Sequence, residues 1–126
     1  MSENLYAILR ARFSAHMSRD FLRPTDGSAP LTYWALDDAS ARYARSLLDE
    51  GVGVGDRVAV QVEKSVEAVI LYAACLRIGA VYLPLNMAYT SAELAYFLED
   101  ATPRLLVTSP ANAEALQQIC GTMGNI

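Results

Sequence analysis

An α/β layered domain, with a short parallel sheet from βαβ units and a small edge hairpin, is the fold class this 126-residue sequence predicts. Three observations predict it. Short β-branched runs alternate with amphipathic stretches along the whole chain. A strand, a capped helix and a second strand follow one another between Gly55 and Asn86. Gly, Pro, Asp and Ser punctuate the boundaries at short intervals, and no repeat, low-complexity tract or linker marks a second domain.

The stretch GDRVAVQVEKSVEAVILYAACLRIGAVYLPLN organises the rest. Val58, Val60 and Val62 alternate with Arg57, Ala59 and Gln61, a period-two pattern that predicts a strand. Ser65 fits the N-cap of a helix from Val66 to Ile78, because its hydroxyl accepts from an otherwise orphaned N–H of the first turn. Glu67 suits the positive end of that helix dipole and Arg77 the negative end. Gly79 supplies a left-handed stop, and Val81 to Leu85 begins the next strand. Parallel strands joined by a right-handed crossover are the expected geometry. The helix is apolar nearly all round and therefore needs cover on several sides. It spans about 20 Å, short of the roughly 30 Å of a bilayer core, so it is a buried helix.

Before this unit, Asn4 caps a first helix with Leu5, Ile8, Leu9 and Phe13 as its apolar stripe and Glu3, Arg10 and Arg12 facing water. Asp20 to Pro24 is extended, Thr25-Asp26-Gly27-Ser28 turns, and Pro30 to Thr32 returns, which predicts the hairpin. Thr32 caps the next helix, with Leu31 and Leu36 placed as a hydrophobic staple. Leu36, Ser40, Tyr43 and Leu47 share one face of that helix. Asp38 with Arg42, and Arg45 with Asp49, form i,i+4 pairs on the wet side. After the unit, Thr90 to Glu93 matches a capping box, stapled by Tyr89 and Leu94. Leu94, Phe97, Leu98 and Ala101 face the core. Pro103 ends that helix, Arg104 to Thr108 is a strand, and Pro110 opens a last helix at N1.

Ten basic against fourteen acidic residues give a net charge of −4. Without a basic cluster, nucleic acid and an anionic membrane are excluded as expected partners. A hydrophobic fraction of 53% exceeds ordinary globular usage, which suggests apolar surface awaiting cover from outside the chain. Cys75 and Cys120 lack metal-ligand spacing. With no secretory signal near Leu5 to Leu9, they indicate a reduced, cytoplasmic compartment.

Candidate chemistry is sparse. Gly51-Val52-Gly53-Val54-Gly55-Asp56 has the glycines of a phosphate loop in the wrong order: it follows a helix and precedes a strand. A helix stop with a tight turn accounts for it better. Lys64-Ser65 follows a strand and opens a helix, the side of a sheet where ligands bind. Without glycines, Ser65 is better explained as a cap and Lys64 as a solvated charge. Tyr82, Asn86 and Tyr89 lie near a strand's carboxyl end and are read as shaping the loop and the following cap. His16 has no visible partner, and no Ser/His/Asp, Cys/His or paired-carboxylate arrangement stands out. Residue types and spacing alone give part of an α/β domain and no reaction.

The run from Leu31 to Val107, LTYWALDDASARYARSLLDEGVGVGDRVAVQVEKSVEAVILYAACLRIGAVYLPLNMAYTSAELAYFLEDATPRLLV, closely resembles the amino-terminal part of the acyl-adenylate-forming enzymes. These include acyl-CoA synthetases, luciferases and the adenylation domains of peptide synthetases. Glu-Lys-Ser-Val-Glu-Ala, and Val-Tyr-Leu-Pro-Leu-Asn followed by Ala-Tyr-Thr, look most like malonyl-CoA synthetases. The likeness covers about residues 4–110 and leaves 111–126 as an unassigned tail.

The resemblance implies an enzyme that activates a carboxylate, malonate on the subclass likeness, with ATP and Mg²⁺. The acyl group then passes to coenzyme A. The family's phosphate loop, its aromatic-Gly-x-Thr-Glu motif, its ribose-binding aspartate and its adenylating lysine lie further along than these residues. No catalytic, substrate, cofactor or metal residue is therefore carried over, and no cofactor is expected on this portion alone. Gly121-Thr122-Met123-Gly124-Asn125-Ile126 faintly resembles the segment around the family's catalytic lysine, with asparagine at the lysine position.

The expectation is an inactive amino-terminal scaffold portion of an acid–CoA ligase. Two alternatives stay open: an interaction module that associates with itself or with a synthetase through its sheet edge, and a non-catalytic binder of a small ligand.

Overall fold

The computed structural model of the protein describes residues 4–121. Helix α1 (Leu5–Phe13) leads through a 3₁₀ turn (Ser14–His16) to a hairpin of β1 (Asp20–Leu22) and β2 (Leu31–Thr32). Then follow α2 (Tyr33–Asp49), β3 (Arg57–Gln61), α3 (Val66–Ile78), β4 (Val81–Pro84), α4 (Ser91–Ala101), β5 (Leu105–Thr108) and α5 (Pro110–Gly121). The predicted α/β class and edge hairpin are both present. The main sheet has the order β4-β3-β5, with β3 pairing in parallel to both neighbours.

Local chemistry sets the boundaries. Ser65 accepts from the Ala68 N–H at 3.2 Å and opens α3. Gly79 closes it at φ +76°, a conformation that costs other residues a steric penalty. Its amide and that of Ala80 return to carbonyls of the last turn. Thr90 and Glu93 exchange both bonds of the capping box on α4. Thr32 caps α2, and the pairs Asp38 with Arg42 and Arg45 with Asp49 run along its exposed side.

Both faces of the sheet are covered. Val58 and Val60 pack with Leu47 of α2 and with Leu71, Ala74 and Cys75 of α3. Ala59, on the opposite face, packs with Leu94 and Leu98 of α4 and Leu116 of α5. The strand read as alternating is thus buried from Val58 through Gln61, because a parallel strand between two helical layers has no wet side.

The first helix also departs from its sequence reading. Tyr6 and Phe13 are its buried residues, whereas Leu5, Ile8 and Leu9 are 47%, 50% and 43% exposed. Arg10 does not point only to water, since it pairs with Asp37 of α2 at 3.0 Å. The facing surface explains the rotation. The Tyr6 hydroxyl donates to Asp37 at 2.7 Å, and the Arg77 guanidinium sits 4.5 Å from the Tyr6 ring centroid. Arg77 also donates to Asp37 at 2.9 Å. Polar partners from α2 and α3, rather than the helix's own apolar stripe, choose which side docks. Glu3 lies outside the described residues.

Candidate functional site

Open α/β sheets place ligands beyond the carboxyl ends of their strands. Here those ends are Gln61, Pro84 and Thr108. Gln61 is 3% exposed, and its Nε2 donates to the Asn86 carbonyl at 3.1 Å, tying the end of β3 to the loop after β4. Thr108 lies beside Gln61 in the β3–β5 register. Its Oγ1 is buried without a hydrogen-bond partner among the described residues. Sequence reasoning passed over both residues. An amide and a hydroxyl at the ends of otherwise apolar strands were the available signal.

Lys64, Ser65 and Tyr82 come together on one wall of a cleft of about 750 Å³ between the hairpin turn and the start of α3. Tyr82 meets Tyr72 edge to face at 5.2 Å on that wall. Opposite, Asp26 accepts from the Ser28 hydroxyl at 2.6 Å and amide at 2.9 Å, which holds its carboxyl below the usual range. The cleft is open and its polar groups are mostly engaged locally. Ser65 is spent on the α3 cap.

Asn86 and Tyr89 are not on that wall. Asn86 Oδ1 accepts from the Ala88 amide at 2.8 Å, and Tyr89 stacks on Phe97 at 4.9 Å. Both shape the loop into α4, as the sequence predicts. His16 is exposed in the 3₁₀ turn.

The glycine-rich segment sits at the opposite, amino-terminal end of the strands. Gly51 and Gly55 take φ of +87° and +81°, and Asp56 accepts from the Gly53 amide at 2.8 Å. It is a helix stop followed by a turn into β3. Cys75 and Cys120 are free and buried, and burial pushes the Cys75 thiol up to about 11. Among the described residues, no three His, Cys, Asp or Glu are placed to hold a metal, and no helix is long and apolar enough to cross a membrane. The proposed lysine-like position, Asn125, lies outside the described residues.

The geometry defines a three-stranded parallel sheet with helices on both faces and its β5 side partly open, with Gln61 and Thr108 at the end where such sheets place ligands. Its class is the amino-terminal domain of adenylate-forming enzymes, and comparison with known proteins bears on this directly. The AMP-binding enzyme family matches residues 9–125, and the chain belongs to that family.

Apo MatB from Rhodopseudomonas palustris, a malonyl-CoA synthetase, superposes with a TM-score of 0.91 at 40% identity. That match covers 100% of this chain and 25% of the other. MatB with ATP bound gives a TM-score of 0.90 at the same 40% identity, covering 98% of this chain and 24% of that one. The 3-hydroxybenzoate–CoA/4-hydroxybenzoate–CoA ligase of Thauera aromatica is 38% identical over 93 residues, 74% of this chain and 18% of that protein. A probable CoA ligase of Humulus lupulus, CCL9, is 38% identical over 89 residues, 71% of this chain and 17% of that protein. The chain thus spans about a quarter of the solved structure and under a fifth of these two curated relatives.

Proposed function

We propose that this chain is the amino-terminal scaffold portion of an ATP-dependent malonate–CoA ligase, with residues 1–126 forming part of its large domain. The parent reaction converts malonate, ATP and coenzyme A to malonyl-CoA, AMP and pyrophosphate, with Mg²⁺ on the nucleotide. The observation that carries this reading is the likeness to MatB over the whole chain, at 40% identity and a TM-score of 0.91. A cytoplasmic location belongs to the same proposal and is supported by the two free thiols.

On this reading the 126 residues alone do not catalyse. The groups that would cradle phosphates and drive adenylation belong, in the resembled family, to later parts of the chain. At the strand ends here, Ser65 is committed to a helix cap and Gln61 to a loop carbonyl.

Incubating the chain with ATP, malonate, Mg²⁺ and coenzyme A should release no pyrophosphate above background. Turnover at an enzymatic rate would overturn the reading. A second arm replaces the matching segment of R. palustris MatB with this chain. The hybrid should keep its preference for malonate, with kcat/KM within about an order of magnitude of the parent, a change of roughly 1.4 kcal/mol or less. A folded hybrid that prefers another acid would show that this portion selects the substrate rather than supporting the site.

A further inference from the structure

Between α1, the hairpin and α3 lies a hollow of about 360 Å³, and none of the strand-end residues Gln61, Pro84 or Thr108 lines it. Phe13, Leu36 and Ala73 are buried at its floor. Its walls are aromatic: Phe13 stacks on Tyr33 at 5.0 Å, and Phe21 meets Tyr33 edge to face at 5.3 Å. Leu9, Phe21 and Tyr72 stand half-exposed around the mouth.

The hollow stays open for a physical reason. Tyr6 and Arg10 hold α1 to Asp37, and Asn4 Nδ2 donates to the Leu76 carbonyl at 2.7 Å. This clasp closes the α2 side of α1 and leaves its hairpin side open, with Leu9 at the mouth rather than rolled over Phe13. A preformed apolar cavity with a few polar groups at its margin is the general form of a small-molecule site.

Charge decides what such a cavity admits. Arg12 and His16 line it, and no Asp or Glu does. Arg12 makes no ion pair among the described residues, whereas Arg10 and Arg23 are paired with Asp37 and Asp20. The strand-end cleft, by contrast, carries Asp26 and Glu67, and the groove beside β5 carries Glu50 and Glu67. A cationic rim over an aromatic floor favours a flat ring that ends in an anion and repels one that ends in an ammonium. We propose that this hollow binds an aryl carboxylate, with its ring against Phe13 and Tyr33 and its carboxylate on the Arg12 guanidinium and a His16 N–H.

The probe is 2-naphthoate, titrated into the full chain at pH 7 and followed by the shifts of backbone amides in ¹H–¹⁵N spectra, which also locate it. The expected result is saturable binding with a Kd of about 1 mM or tighter, with the largest shifts in α1, the hairpin and the middle of α3. Uncharged 2-naphthamide should bind about fivefold more weakly, and 2-naphthylmethylammonium should not bind. Octanoate, an anion without a ring, should also be weaker. Arg12→Gln should weaken naphthoate about fivefold, and Leu9→Glu, which sets a carboxylate at the mouth, should abolish its binding. Both positions are exposed, and circular dichroism confirms that each variant is folded.

The proposal is overturned if naphthoate does not saturate by about 10 mM, if the amide, the ammonium or octanoate binds as tightly, or if the shifts map to another surface. It is equally overturned if folded Leu9→Glu binds like the parent, and where that variant does not fold, Arg12→Gln decides. Binding is read without ATP, malonate or coenzyme A. Its failure therefore leaves the ligase reading, tested by pyrophosphate release, standing on its own.

Discussion

The α2–α3 layer has two flanks, one finished and one open. On the finished flank α1 lies across both helices, with Tyr6, Phe13, Leu36, Ala39, Ile70 and Ala73 packed together. Phe13 stacks on Tyr33 at 5.0 Å, and the rim is closed by Asp37, which gathers Tyr6, Arg10 and Arg77. On the other flank Tyr43, Leu47 and Leu71 run down to Leu105 and Val107 of β5, and the groove between them is apolar at its floor, with Ser46, Glu50, Ser65 and Glu67 around it and no ion pair closing it among the described residues. A boundary that the chain completes by itself carries charge pairs at its margin. The open flank has no such closing charge pair among the described residues, so its apolar floor stays accessible.

That contrast is open to attack at several points. The largest expected effect is on the finished flank: Leu36, 4% exposed, should cost about 3 kcal/mol when replaced by alanine. Leu105→Ala on the open flank should cost about 1 kcal/mol, because a half-buried side chain has less contact to lose. Urea unfolding of the two variants compares them directly. Equal losses would erase the distinction between the flanks.

Next comes Asp37, whose replacement by alanine should cost about 2 kcal/mol by stranding Arg77 beneath α1. Burial works to raise the Asp37 carboxyl, yet hydrogen bonds from Tyr6, Arg10 and Arg77 outweigh it and hold the group below its ordinary value. The stabilisation is therefore complete above the unfolded carboxyl value, about pH 4. It is lost as pH falls through the lower folded value. Asp37→Asn should be less stable than the parent at pH 7, and the gap should narrow as pH falls below about 4. A gap that stayed constant with pH would sink this assignment. The smallest effect tests an element outside the comparison: Thr90→Ala removes one arm of the α4 capping box and should cost about 1 kcal/mol. A shift in midpoint at unchanged urea dependence would measure it.

How far the sequence could be read follows the distance over which each feature is decided. Ser65, Gly79, Thr90 and Glu93 act within a few residues of themselves, and α3 and α4 begin or end where their caps predict. The docking side of α1 depends on Asp37 and Arg77, more than thirty residues further along, and of the predicted stripe Leu5, Ile8, Leu9 and Phe13 only Phe13 is buried. Val58 and Val60 alternate with Ala59 and Gln61 in the sequence, yet all four are buried, and the layer that covers Ala59, α4 and α5, comes later in the chain. The candidate site was legible only as a place. Lys64, Ser65 and Tyr82 do share a cleft, but Thr108 was invisible because an unpaired hydroxyl is a property of its surroundings rather than of its residue type.

Pro84, at the end of the border strand β4, has no N–H to donate, and this has a consequence for how such a sheet behaves at high concentration. Fibrous growth needs a border that accepts and another that passes the ladder on, so that every added unit exposes a fresh docking line. With one border short of a donor, each molecule can be joined along a single side. Stacking by that route stops once the side is taken, which favours a finite particle over an endless ribbon.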